Sequence, residues 1–230
     1  MNDKRIRLAI TPRHLENRDG EFFSVQKNYL DFWSSYGYEL ILIPFIEDMD
    51  FESFFNELGI KGLLIAGGYK YYSEKIRGFE HKVISAALNK KLPIIGVCCG
   101  LWSINGFFGG KLKWNERHSK RNIKFVSHFL YNKILGRKYI PKHKIFLTGD
   151  IINKCEAEVN SYHRKVVSKL GDGLKPFILS DDGEIEGIYN LEKKIIAVQF
   201  HFEHGNCSKW LEIDCINYIN NLFNFKNNGE

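Results

Sequence analysis

No apolar run in the 230 residues approaches the roughly 20 that cross a bilayer as a helix. The opening MNDKRIRLAI has a charged head but only Leu8, Ala9 and Ile10 as an apolar run before Thr11 and Pro12, so no secretory leader is expected. Five cysteines, odd in number and irregularly spaced, make no disulfide framework. A reducing cytoplasm is therefore the expected compartment. Cys98 and Cys99 are adjacent, and no second pair follows at a spacing that suits zinc, so no metal is expected. The chain has no internal repeat, no nucleic-acid-binding motif and no Pro- or Gly/Ser-rich linker. With 44% hydrophobic residues it is long enough for one sizeable core, and a single domain over 1–230 is expected.

Charge is ordinary in amount and uneven in place. Between Lys111 and Gly149 there are eight Lys and three Arg against one acid, Glu116, a local excess larger than the net +6 of the whole chain. Such a run reads as a solvated surface or as the footprint of an anionic ligand.

The first half alternates. RLAIT (Arg7–Thr11), ELILIPF, GLLIAGG and PIIGV read as apolar strands, and helical patterns over Ser24–Gly37, FESFFNEL and GFEHKVISAALNKK lie between them. Near-continuous apolar strands separated by helices predict a parallel sheet covered on both faces. After Gly110 the rhythm changes to short strand-like segments, among them EAEVNSYHRKVV and IIAVQFH, before an amphipathic helix in SKWLEIDCINYINNLF. The expected class is α/β, a three-layer sandwich with a mostly parallel central sheet and a small antiparallel excursion.

PIIGV, Cys98 and CGLWSINGFF form a strand, a sharp turn and a helix start. A side chain at such a turn projects from the carboxyl edge of the sheet, where open α/β folds build sites. Gly96 and Gly100 flank Cys98 symmetrically, as in a nucleophile elbow. A helix amino terminus favours a thiolate there. Cys99 would offer its backbone N–H to an oxyanion, and its side chain reads as a small hydrophobe. From this local pattern alone, a buried structural Cys98 remains as open as a nucleophile.

A thiol nucleophile needs a base, and the base needs an orienting group. AVQFHFEHG supplies His201 and Glu203, two residues apart and on one side of an extended segment. His204 is expected on the surface, and His81 and His143 as exposed side chains.

In order along the chain, LAITPR, LLIAGG, RGFE, PIIGVCCG, NGFFGGKL, EVNSYHRK, SDDGEIEGI and AVQFHFEH resemble motifs of the class I glutamine amidotransferase superfamily. They are closest to its γ-glutamyl-γ-aminobutyrate hydrolase-like branch, the peptidase C26 group. His118 and His128 fall where that branch often has two histidines. The resemblance implies a triad of Cys98, His201 and Glu203 acting on a small-molecule γ-glutamyl amide without metal or organic cofactor. It also implies an oxyanion site at Cys99 and Gly68, with Gly67, Trp102 and His163 around the substrate. A homodimer or a separate synthetase partner is compatible with it.

Several positions depart from the family pattern. Cys99 stands for the usual Arg, Trp102 for a Gln, Arg164–Lys165 for a His and a Gln, and Phe202 for a Pro. GGYKYYSE lacks the branch's Gly-Gly-x-Asp-x-x-Pro. Trp102, Tyr69, Tyr71, Tyr72 and the basic segment raise the alternative of a large anionic leaving group, as in a γ-glutamyl-CDP-amidate. The other readings are a binding module without turnover and a glutaminase that supplies ammonia to a separate synthetase.

Overall fold

A computed structural model describes residues 5–46, 48–68, 74–114, 142–152 and 156–224. Strands β1 (Ile6–Ile10), β4 (Tyr38–Leu42), β5 (Gly62–Ile65), β6 (Ile94–Val97) and β13 (Ile195–Val198) pair in parallel in the order β4-β1-β5-β6-β13. Among the described residues, four antiparallel strands extend that sheet to nine: β12 (Ile185–Asn190), β11 (Lys175–Ser180), β8 (Lys142–Leu147) and β9 (Glu156–Asn160). The antiparallel excursion is thus an extension of the main sheet, continuing its hydrogen-bond ladder from β13.

Side-chain alternation along the central strands explains the layers. Leu8, Ile10, Leu64, Ile95 and Val198 point to one face, with helices α1 (Lys27–Ser35) and α5 (Lys209–Asn224). Ala9, Leu63, Ile65, Ile94 and Ala197 point to the other, with α2 (Phe51–Glu57), α3 (Glu74–Asn89) and α4 (Cys99–Phe107). Both faces are buried, which is why these strands read as unbroken apolar runs. Among the described residues, no helix is long and apolar enough to cross a membrane.

The structure differs from the sequence reading in three places. A two-stranded ribbon, β2 (Arg13–Asn17) with β3 (Gly20–Ser24), precedes α1, and its polar, glycine-turned sequence gave no strand period. EAEVNSYHRKVV divides into β9 and β10 (Lys165–Lys169), and β10 leaves the main sheet to pair with β7 (Lys111–Trp114). The helix read from GFEHKVISAALNKK starts earlier, at Glu74, so RGFE lies wholly inside α3. Tyr69, Tyr71, Tyr72, His118, His128 and most of the basic segment lie outside the described residues.

Register then positions the site. Ile65 pairs with Gly96, and Val97 with Val198, so β5, β6 and β13 end side by side. The residues just past those ends are Gly67–Gly68, Cys98 and His201.

Candidate active site

Cys98 adopts φ 54°, ψ −105°, a left-handed backbone unusual for a residue with a Cβ. Its N–H donates to the Val198 carbonyl at 2.8 Å, and its own carbonyl accepts from Leu101 N–H at 3.0 Å, tying the turn to β13 and to α4. The following helix packs tightly on the sheet: a Cβ on Gly100 would overlap the carbonyl of Ile65. The glycine after the cysteines is therefore required by close approach of α4 to β5, and Cys98 is held at an elbow of the expected kind.

The candidate base, His201, is equally constrained. His201 Nδ1 lies 2.5 Å from Glu203 Oε1, and both side chains are almost fully buried. The contact is made by a 3-10 turn, Phe202–His204, and not by alternation along a strand. Burial alone would raise the Glu203 carboxyl, but the facing imidazole outweighs it and holds the group below the ordinary carboxylate value. Asn160, at the end of β9, clamps the histidine from outside. Its Oδ1 accepts from His201 N–H at 3.0 Å, and its Nδ2 donates to the carbonyls of His201 at 2.8 Å and Gly205 at 2.7 Å.

Gly67 closes the constellation. A Cβ there would sit 2.6 Å from His201 Cε1 and 3.2 Å from Cys98 Cβ, so the glycine backbone fills the notch where thiol and imidazole converge. Gly67 N–H donates to the Tyr29 hydroxyl at 2.8 Å, and its carbonyl accepts from Arg13 Nε. Ala66 N–H donates to Thr11 Oγ1 at 3.1 Å. Gly68 is exposed beside Cys99, whose S–H points to the Gly68 carbonyl at 3.8 Å.

The two thiols share a hydrogen bond. Donating it, together with burial, pushes Cys98 well above the ordinary thiol value, and accepting it holds Cys99 below. Burial and this hydrogen bond therefore work against the thiolate that a helix amino terminus favours at Cys98, and the same bond favours ionisation at Cys99 instead. Burial also raises the Tyr29 hydroxyl, so it stays neutral.

Other expected residues fall differently. Trp102 is 8% exposed, packs in the core on the α4 side and donates its indole N–H to Gln199 Oε1 at 2.6 Å. Its indole N–H is thereby committed to the protein interior. His163 is buried, with Nδ1 3.1 Å from the Lys165 carbonyl and Nε2 3.4 Å from Glu186 Oε1. Burial would lower its imidazole, but the Glu186 carboxylate raises it overall. His204 is half-buried, its Nδ1 2.8 Å from Asn28 Nδ2, and its ring centroid is 4.9 Å from that of His201. His143, expected at the surface, is buried against Glu186, and His81 is half-buried against Phe107.

The sequence model of the peptidase C26 family matches residues 13–203. The chain belongs to the peptidase C26 family. That places it in the C26 branch of the class I glutamine amidotransferase-like superfamily and makes it a member of a hydrolase family. It is 29% identical over 196 residues to the candidate glutamine amidotransferase-like protein YvdE of Lactococcus lactis, covering 77% of this chain and 80% of that one. It is 26% identical over 171 residues to the γ-glutamyl-CDP-amidate hydrolase of Campylobacter jejuni, covering 71% and 72%. Among solved structures, a candidate GMP synthase component from Thermoplasma acidophilum superposes with a TM-score of 0.67, covering 96% of this chain and 94% of that one at 18% identity. This last likeness is one of fold.

Arg13, Tyr29 and Asn160 were not singled out by sequence reasoning. For Asn160 a signal was present, since it lies inside the C26-like EVNSYHRK. Tyr29 sits in an ordinary amphipathic helix, and nothing local marks it.

Proposed function

We propose that this C26 member hydrolyses a γ-glutamyl amide through a thioester on Cys98. The observation that carries the reading is the convergence of the Cys98 elbow, the Gly67 backbone and a His201 ring already oriented by Glu203. With Nδ1 engaged by Glu203, Nε2 is the nitrogen that exchanges protons with sulfur. His201 takes the Cys98 proton as the sulfur attacks the amide carbonyl, and the backbone N–H groups of Cys99 and Gly68 receive the oxyanion. The imidazolium protonates the departing amine, leaving a γ-glutamyl thioester. Water then attacks with His201 as base, and glutamate leaves as the Cys98 thiol reforms.

For the leaving group, a phosphate-bearing amine is the finer reading. Similarity to the C. jejuni hydrolase favours it, and so does the β7–β10 ribbon, which carries Lys111, Lys113, Lys165 and Lys169. On that ribbon Trp114 is 65% exposed, with Lys165 Nζ 5.4 Å from its ring centroid, and Lys113 pairs with Glu184 at 3.0 Å.

The test is glutamate release from glutamine, neutral γ-glutamyl amines and a nucleotide-linked γ-glutamyl amide, each with wild type, Cys98→Ala and Cys99→Ala. Release abolished only by Cys98→Ala supports the mechanism. Release abolished only by Cys99→Ala, or absent with every substrate, refutes it. Preference for glutamine together with co-purification of a synthetase would replace free hydrolysis by ammonia supply to that partner.

A further inference from the structure

A second buried cluster lies on the antiparallel side of the sheet. His143 comes from β8, Glu186 from β12, and His163 from the turn between β9 and β10. Their side chains are 1%, 0% and 0% exposed. Both imidazoles present Nε2 to the same oxygen, Glu186 Oε1, at 3.4 Å each. One nitrogen or oxygen from each residue lies within 4.8 Å of the other two.

Two features of this ion-paired triplet also fit a bound ion. Charge-assisted N–H···O bonds close to about 2.7–2.9 Å, and buried ones have every reason to do so. The two Nε2–Oε1 separations of 3.4 Å are longer than that, and they match two edges of a tetrahedron about an ion bonded at about 2.0–2.1 Å, where edges come to about 3.3–3.4 Å. The outer atom of His163 agrees. Its Nδ1 faces the Lys165 carbonyl at 3.1 Å, the hydrogen bond by which a metal-bound histidine is held in the tautomer that turns Nε2 inward.

We propose that His143, His163 and Glu186 form a binding site for a divalent ion of the zinc class, two imidazoles and one carboxylate with a further position for water. The donor set is that of known three-ligand zinc sites. The ion would join β8, β12 and the turn after β9, three segments far apart in sequence. Cys98 and Cys99 are not its ligands, and the site does not depend on the hydrolase reading. Among the described residues, His201, Glu203 and His204 form the other cluster whose ligand atoms lie this close, so the test must separate the two.

Purified protein would be stripped with chelator and titrated with Zn²⁺, and separately with Co²⁺. The expected result is about one zinc per chain by elemental analysis, a higher Tm on adding zinc, and visible cobalt bands of a four- or five-coordinate nitrogen–oxygen site. Metal should be lost in His143→Ala and in Glu186→Gln, and kept in Cys98→Ala and His201→Ala. No retained zinc with neither cobalt bands nor a Tm shift overturns the proposal. So does metal that survives His143→Ala but is lost with His201→Ala, or a sulfur-to-cobalt charge-transfer band. If His143→Ala fails to fold, the cobalt spectra of wild type and of His201→Ala decide alone.

Discussion

Glu80 offers a test of the interior whose sign runs against that of most carboxylates. It is 4% exposed on α3, and burial pushes its carboxyl from 4.5 up to about 8, with Ser103 and Thr11 as partial compensation. In the folded protein it therefore holds a proton that the unfolded chain releases near pH 4.5. The folded state binds more protons throughout that window, so stability falls as pH rises from about 4.5 to about 8. Each pH unit is worth about 1.4 kcal/mol, and the interval from about pH 5.5 to about 7.5 therefore about 3 kcal/mol. Glu80→Gln keeps the shape and cannot ionise. Urea denaturation of wild type and variant at several pH values, compared pairwise, cancels the other titrating groups. The variant's stability relative to wild type should rise by about 3 kcal/mol across that interval and level off above pH 8. A flat difference would mean that Glu80 ionises as in water, and that its burial does not control it.

Asn160→Ala should leave the His201 N–H and carbonyl without their buried partners, costing about 1–3 kcal/mol of stability and lowering kcat more than it raises KM. Loss of His201 should reduce turnover by about 10²–10⁴-fold, and Glu203→Gln by less, as read from initial rates of glutamate release. With a phosphate-bearing substrate, rates should fall as salt rises, because exposed charges are screened over roughly 10 Å at about 0.1 M. Lys111→Ala with Lys165→Ala should flatten that dependence, while neutral γ-glutamyl amines respond little; equal salt response for both substrates would refute the basic ribbon's role.

Local sequence carried the features whose cause is local. The parallel core strands were legible because burial on both faces makes them apolar throughout, and the elbow because a tight turn between strand and helix needs its flanking glycines. His201 and Glu203 were legible as a pair because they lie two positions apart, although a 3-10 turn and not strand alternation brings them together. The remaining assignments depend on register between distant strands. Whether His143 is exposed or buried is decided by β12, which brings Glu186 opposite it, and nothing near residue 143 says so. Trp102 carries no sign of its direction, which the Gln199 side-chain oxygen just past β13 decides. The opposite shifts of the adjacent thiols also escaped the motif, because they depend on which sulfur donates to the other. Asn160, Tyr29 and Arg13 act on His201 and Gly67 from up to 54 residues away. Sequence by itself determined which groups are candidates to react; the tertiary structure decided which are held, by which partners and in which direction their ionisation shifts, because those depend on contacts that exist only once the strands are in register.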